Sequence, residues 1–237
     1  MTRTAPASFG DHFSQARLFY LSLTEVEREH LTQAFSFELG KCYEEAIKVR
    51  YLDVLAHVDQ ELAEKVADNL GLPHPEANKV ADVEPSPALS QVGKTWPIDG
   101  RQVAVLISGD TPADGLCHLL NELFDASVTP LLVSDKGGTL DVDGMQVSIS
   151  RTYATARSIE FDAAVVINPP ATAEVATMLG EFDRHKKALV LAGADAAAAL
   201  KAAYVPTDQP GIIAVDSFAD APAKLADLLA SHRVWER

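Results

Sequence analysis

The chain has 237 residues, 47% of them hydrophobic, enough to fill the core of one large domain or two smaller ones. Thirty-four acidic against twenty basic residues give a formal charge of −14, which opposes a phosphate backbone or an anionic membrane surface, so neither nucleic acid nor membrane is an expected partner. No apolar run approaches the roughly 20 residues of a membrane helix, and the opening MTRTAPASFG lacks the apolar centre of a secretory signal, so a cytoplasmic location is expected.

Residues 8–23, SFGDHFSQARLFYLSL, mix aromatic and polar side chains without a clean period and read as an extended arm whose apolar side needs a surface to lie on. Thr24 and Glu27 then form a capping box, and apolar residues at spacings of three and four carry a helix to about Lys41. A second helix is predicted from about Glu44 to Leu55, with Ile47, Tyr51, Leu52 and Leu55 on one side. A third runs from the cap Asp59 to Leu70, where Gly71 supplies the left-handed residue that ends many helices.

Residues 72–100 carry Pro73, Pro75, Pro85, Pro87 and Pro97 with few long apolar side chains, and read as an extended linker between domains, draped over the surface. From there short apolar runs alternate with amphipathic segments: VAVLIS at 103–108, a helix from Pro112 to about Asp125, and VTPLLVS at 128–134. TLDV and MQVSIS flank Asp143-Gly144, a pair suited to a hairpin turn with positive φ. The rhythm resumes with AAVVIN at 163–168, a helix over about 172–185, ALVLAG at 188–193, an Ala-rich helix over 195–203, GIIAV at 211–215 and a last helix over about 221–232. Five apolar strands with intervening helices predict a doubly wound parallel sheet.

SFGDHFSQARLFYLSLTEVEREHLTQAFSFELGK resembles the segment that follows the heme-binding barrel in monofunctional catalases, where a DxFSQxRLF-like arm precedes helices containing AFSFEL. DQELAEKVADNLGLP is similar to the end of that helical region, and the Pro-rich linker, the α/β stretch and the terminal AxHRVWxR resemble the extension of large-subunit catalases, so the likeness runs from about Ser8 to Arg237. The resemblance implies an arm and catalase-related helical segment over 1–71, a linker over 72–100, and over 101–237 a flavodoxin-like domain similar to class I glutamine amidotransferases. It implies heme, and dismutation of hydrogen peroxide to water and oxygen, for the parent family. Those relatives use a barrel His and Asn and an axial Tyr in an R-x-F-x-Y-x-D motif. Here, after Arg17 and Phe19, Leu21 stands at the Tyr position and Leu23 at the acidic one, with Tyr20 one place early, and the seven residues before Ser8 supply no barrel. No heme, and no other cofactor, is expected on this chain.

Other chemistry finds little footing. Cys42 and Cys117 lie in separate helical patterns, so no disulfide is expected, and the seven histidines show no HxxxH or HExxH spacing and no CxxC accompanies them, so no metal site is expected from local pairs. The amidotransferase-like relatives place a nucleophilic Cys on a turn equivalent to ALVLAGAD, where Leu191 stands instead. Cys117 and His118 point about 100° apart on a helix and cannot act together, so Cys117, even with Glu122 nearby, reads as a buried apolar residue. Cys42 beside Lys41 also reads as structural, and Lys136-Gly137-Gly138 reads as a turn into the hairpin. Beyond the strand ends, Ser108, Gly109, Asp110, Asn168 and Gly193 mark the switch point where doubly wound sheets bind ligands. No catalytic, cofactor or metal residue is therefore assigned. The expected function is a structural, stabilising or chaperone-like module that associates with itself or with a catalase barrel through the arm and helices. The alternative is a small cytosolic hydrolase or deglycase with a non-standard nucleophile.

Overall fold

The computed structural model describes residues 4–237, so the first three residues of the stretch read above for a secretory signal and an arm lie outside the described residues. The chain divides into two compact units, the first ending at Gln91 and the second beginning at Val92.

The first unit is helical: α1 (Ser14–Ser22), α2 (Glu25–Gly40), α3 (Glu45–Val58) and α4 (Gln60–Leu70). The capping box of α2 is formed, with the Thr24 side chain accepting from the Glu27 amide and the Glu27 carboxylate accepting from the Thr24 amide. Asp59 caps α4 by accepting from the Leu62 amide, and Gly71 ends that helix at φ 66°. The arm is not extended. Asp11 accepts from the Ser14 amide at 3.0 Å and starts α1, while Arg17 donates to the Val58 carbonyl at 2.8 Å and pairs with Asp59 at 2.9 Å, fixing α1 beside the α3–α4 junction. Tyr20 completes a core with Leu39, Leu52, Leu55, Leu62, Ala63 and Val66. The predicted single apolar side of α3 divides in two: Leu52, Leu55 and Ala56 are buried, whereas Ile47, Tyr51 and Val54 are 40–41% exposed. At 100° per residue these sets lie on different stripes, and only the first meets α4. After Gly71 the chain runs along this unit with no regular structure but a short 3-10 turn at Pro87–Leu89, tied by Gln60 to the Pro75 carbonyl (3.2 Å), Asn78 to Asp53 (3.3 Å), and the Ser86 amide to Ser22 Oγ (2.8 Å).

In the second unit the strands are β1 (Gln102–Leu106), β2 (Thr129–Ser134), β3 (Gly138–Val142), β4 (Met145–Ile149), β5 (Arg151–Thr152), β6 (Ala163–Val166), β7 (Ala188–Leu191) and β8 (Ile212–Ala214). The helices are α5 (Ala113–Asp125), α6 (Ala173–Arg184), α7 (Ala196–Ala202) and α8 (Ala221–Ala230). The main sheet is parallel throughout, in the order β5-β2-β1-β6-β7-β8. Setting aside the two-residue edge strand β5, the five apolar strands follow the flavodoxin-like order 2-1-3-4-5. Alternate residues fill opposite faces. Val103, Val105, Val165 and Val190 pack with α5 and α8, and Ala104, Leu106, Val166 and Leu189 pack with α6 and α7. β3 and β4 form the separate antiparallel hairpin, with Asp143 at φ 49° and Gly144 at φ 80° in its turn. Val142, Val147 and Ile149 seat it on the α5 core.

Candidate functional site

The switch point between β1 and β6 gathers most of the polar residues expected there. Asn168 Oδ1 accepts from the Ser108 amide at 3.2 Å and from the buried Thr111 hydroxyl, so the amide oxygen of Asn168 ties the two strand ends together. Ser108, Asp110, Asn168, Pro169, Pro170 and Asp195 line an open cleft of about 410 Å³. Gly193 takes no part in its polar lining. A Cβ there would stand 2.3 Å from the Ile167 carbonyl oxygen, so this glycine serves close strand packing, while Gly109 passes near the Asp141 carbonyl.

The turn after β7 has no geometry for covalent catalysis. Leu191 is 5% exposed, Ala192 is 4% exposed, and none of residues 191–195 has positive φ, so the strained conformation of a nucleophile elbow is missing along with the nucleophile. Cys117 is half-buried rather than buried, its Sγ 3.2 Å from Met145 Sδ under the hairpin, because α5 turns that face to the edge of its core. His118 and Glu122 are exposed. Lys41 is drawn away from Cys42: it pairs with Glu38 at 2.8 Å and lies 4.0 Å from the Phe37 ring centroid. Lys136-Gly137-Gly138 is the turn into β3, with Gly138 at φ 86°.

The residues present do not fit heme. Tyr20, the only tyrosine near the motif, is 4% exposed, and burial together with the Asp59 charge raises its phenol above the ordinary value, although the Arg28 guanidinium lies 5.0 Å from its ring. A phenolate ligand needs the opposite, an open oxygen held at low pKa. Among the described residues no group of three or more His, Cys, Asp or Glu is placed to hold a metal ion, and no helix is long and apolar enough to cross a membrane.

Two polar clusters were not legible beforehand. Ser158 Oγ lies 3.1 Å from His185 Nδ1, its amide donates to Glu181 at 3.0 Å, and the Lys187 ammonium donates to the Ser158 carbonyl and, at 2.6 Å, to that of Phe161. Ser158 is 0% exposed and Lys187 3%, so the serine is sealed from substrate although His185 is only part-buried, and the lysine braces the turn before β6. Burial, with Arg233 nearby, lowers the Lys187 ammonium to about 8.

The second cluster lies at the opposite end of the sheet from the cleft, where β1, β6 and β7 begin. Arg101 pairs with Asp162 at 2.9 Å and donates to His232 Nδ1 at 3.0 Å, and Asp162 also accepts from the Gln102 amide at 2.9 Å. Burial, then the Arg233 and Arg101 charges, depress the His232 imidazole to about 4. The terminal residues lock onto the same end. The Val234 amide donates to the Lys186 carbonyl at 2.8 Å, and Arg237, its side chain 1% exposed, donates to the Lys187 carbonyl at 2.7 Å beside Asp183. The sequence signal was a charged residue just before each apolar run, at Arg101, Asp162 and Lys187.

Comparison with known proteins agrees with both units. Residues 6–70 match the family described as catalase-related immune-responsive, and residues 99–237 match the C-terminal domain found in long catalases. The second match covers more than half of the sequence, and the chain belongs to that family of long-catalase C-terminal domains. Catalase HPII of Pseudomonas putida is 36% identical over 255 residues, covering 99% of this chain and 34% of that protein. Catalase-2 of Bacillus subtilis is 30% identical over 238 residues, 97% of this chain and 34% of the relative. A catalase of Alkalihalophilus pseudofirmus is 37% identical over 166 residues, 70% of this chain and 24% of the relative. The chain thus spans well under half the length of each.

Proposed function

We propose that this chain is a non-catalytic, stabilising module of a large-subunit catalase assembly, and that its helical unit docks on a catalase barrel or, without one, on a second copy of itself. The observation that carries this reading is the outer face of the helical unit. Ile47, Tyr51 and Val54 recur at spacings of four and three on one stripe of α3 and are 40–41% exposed, with Phe37 at 66% and Tyr43 at 100% on the neighbouring segments. Covering a large apolar side chain is worth about 1.5–3 kcal/mol, and an apolar patch of this kind marks an interaction surface. The arm contributes less than its composition suggests, since Tyr20 is buried and Leu21 and Leu23 pack on the helical core, leaving Phe9 and Phe19 exposed.

In this reading peroxide dismutation belongs to the barrel of the assembly, and the α/β unit carries no step of it. Sedimentation velocity tests the docking face: the chain is expected to self-associate as concentration rises, and the triple variant Ile47→Ser, Tyr51→Ser, Val54→Ser to remain monomeric with unchanged helical circular dichroism. A chain that stays monomeric at high concentration, or a triple variant that associates equally, overturns the proposal. Hemin titration checks the division of labour, with no stoichiometric Soret band expected.

A further inference from the structure

The corner where β1, β6 and β7 begin holds more positive charge than its carboxylates balance. Two guanidinium groups converge on one imidazole nitrogen, with Arg101 Nη1 at 3.0 Å and Arg233 Nη1 at 3.4 Å from His232 Nδ1. Guanidinium N–H groups only donate, so Nδ1 is the bare acceptor nitrogen and the imidazole is neutral. Asp162 answers Arg101 at 2.9 Å. Arg233 has no such answer among the described residues: its hydrogen bonds go to Nδ1 and, at 2.7 Å, to the carbonyl of His232.

The groups facing His232 come from every element around it. Arg101 lies before β1, Asp162 before β6, Lys187 before β7, and Arg233 follows on the tail, while Glu181 of α6 acts on Lys187. The carboxy-terminal carbonyls of α8 add roughly half a negative charge. Asp162 and this half charge leave about half of the second guanidinium's charge unneutralised, in a chain whose net charge is −14. His232 is also held at φ 66°, a left-handed conformation that a non-glycine residue adopts at a cost, which aims its ring between the two arginines.

We infer that Arg101, Arg233 and His232 form a binding corner for a phosphate-type oxyanion. A tetrahedral oxyanion offers enough acceptors to take an N–H from each guanidinium, and Arg is suited to that recognition by its planar fork of donors. Once His232 is protonated it adds a third donor, so anion and proton each strengthen binding of the other.

The test uses the full chain with inorganic phosphate, compared with sodium chloride at matched ionic strength. The ring of His232 is titrated by NMR and melting is followed in parallel. Phosphate is expected to raise the His232 pKa by about one unit, the effect of a nearby opposite charge, and to raise the melting temperature saturably. Arg233→Gln should weaken both effects by roughly tenfold in phosphate concentration, the loss of a charge-assisted hydrogen bond. Arg233→Lys, which keeps the charge without the fork, should fall between, and Arg157→Gln, on the exposed surface, should change neither. A His232 titration identical in phosphate and chloride overturns the inference, as does an undiminished phosphate response in Arg233→Gln. Acetate acting as strongly as phosphate would overturn the assignment to the phosphate class.

Discussion

Gly193 and His232 show single residues whose roles are set by neighbours far away in sequence. A Cβ at Gly193 would meet the backbone carbonyl of Ile167, which belongs to the adjoining strand end and cannot swing aside. Gly193→Ala is therefore expected to destabilise the α/β unit by about 1–3 kcal/mol, the usual cost of overpacking, read as a lower urea midpoint. His232 sets a pH dependence. Its folded pKa of about 4 lies below the ordinary 6.5, so between these values the unfolded chain binds more protons than the folded one. Stability must then fall as pH drops from about 6.5 toward 4 and gain no further loss from this group below that. His232→Asn, which tolerates the left-handed backbone, should flatten that part of the curve in denaturation series at pH 7, 5.5 and 4.5. Equal slopes in the two proteins would show that His232 titrates normally. The sequence marks charges before the apolar runs but not their convergence on His232, because Arg101 and His232 are 131 positions apart and only the closed sheet brings them together.

The elements that sequence reading placed well are those whose causes are local. Thr24 and Glu27 cap α2 within four residues, Gly71 ends α4 through its own φ, and Asp143-Gly144 turns the hairpin with both residues at positive φ. The helix α1 was missed for the opposite reason. Its nine residues carry no clean apolar stripe, and it is held by Arg17 reaching residues 58 and 59. The edge strand β5 is only two residues long and exists through its pairing with Val133 and Ser134. Asp59 is where local and distant causes meet, since it caps α4, follows α3 and pairs with Arg17 of α1. Asp59→Ala should cost about 2–3 kcal/mol, combining a lost cap of about 1 kcal/mol with a half-buried guanidinium left unpaired. Asp59→Asn keeps the cap and should recover part of the loss, so the difference between the two urea midpoints isolates the cap and the loss that remains in Asp59→Asn is that of the ion pair. Equal losses would place the whole effect in the pairing with Arg17.

At the scale of the whole molecule the decisive feature is that each unit closes its own core. Leu52, Leu55, Leu62 and Val66 fill the helical unit, and the two faces of the parallel sheet fill the other. The predicted linker over 72–100 does not act as one segment: its residues through Ser86 are tied to the helical unit, whereas the Trp96 amide donates to the Ala230 carbonyl at 2.9 Å and that of Gly100 to Ser127 at 2.8 Å. Cooperative unfolding follows from shared burial, so two closed cores predict two transitions. The helical unit has the smaller core, and small domains bury a lower fraction of their surface, so it should melt first. Calorimetry of the full chain is expected to resolve a lower transition that shifts upward with protein concentration if association stabilises it by mass action. The upper transition should be concentration-independent and should be reproduced by a fragment of residues 92–237 alone. A single transition in the full chain, with a fragment that does not fold, would mean that the α/β unit depends on the helices and that docking surface and sheet are one cooperative body.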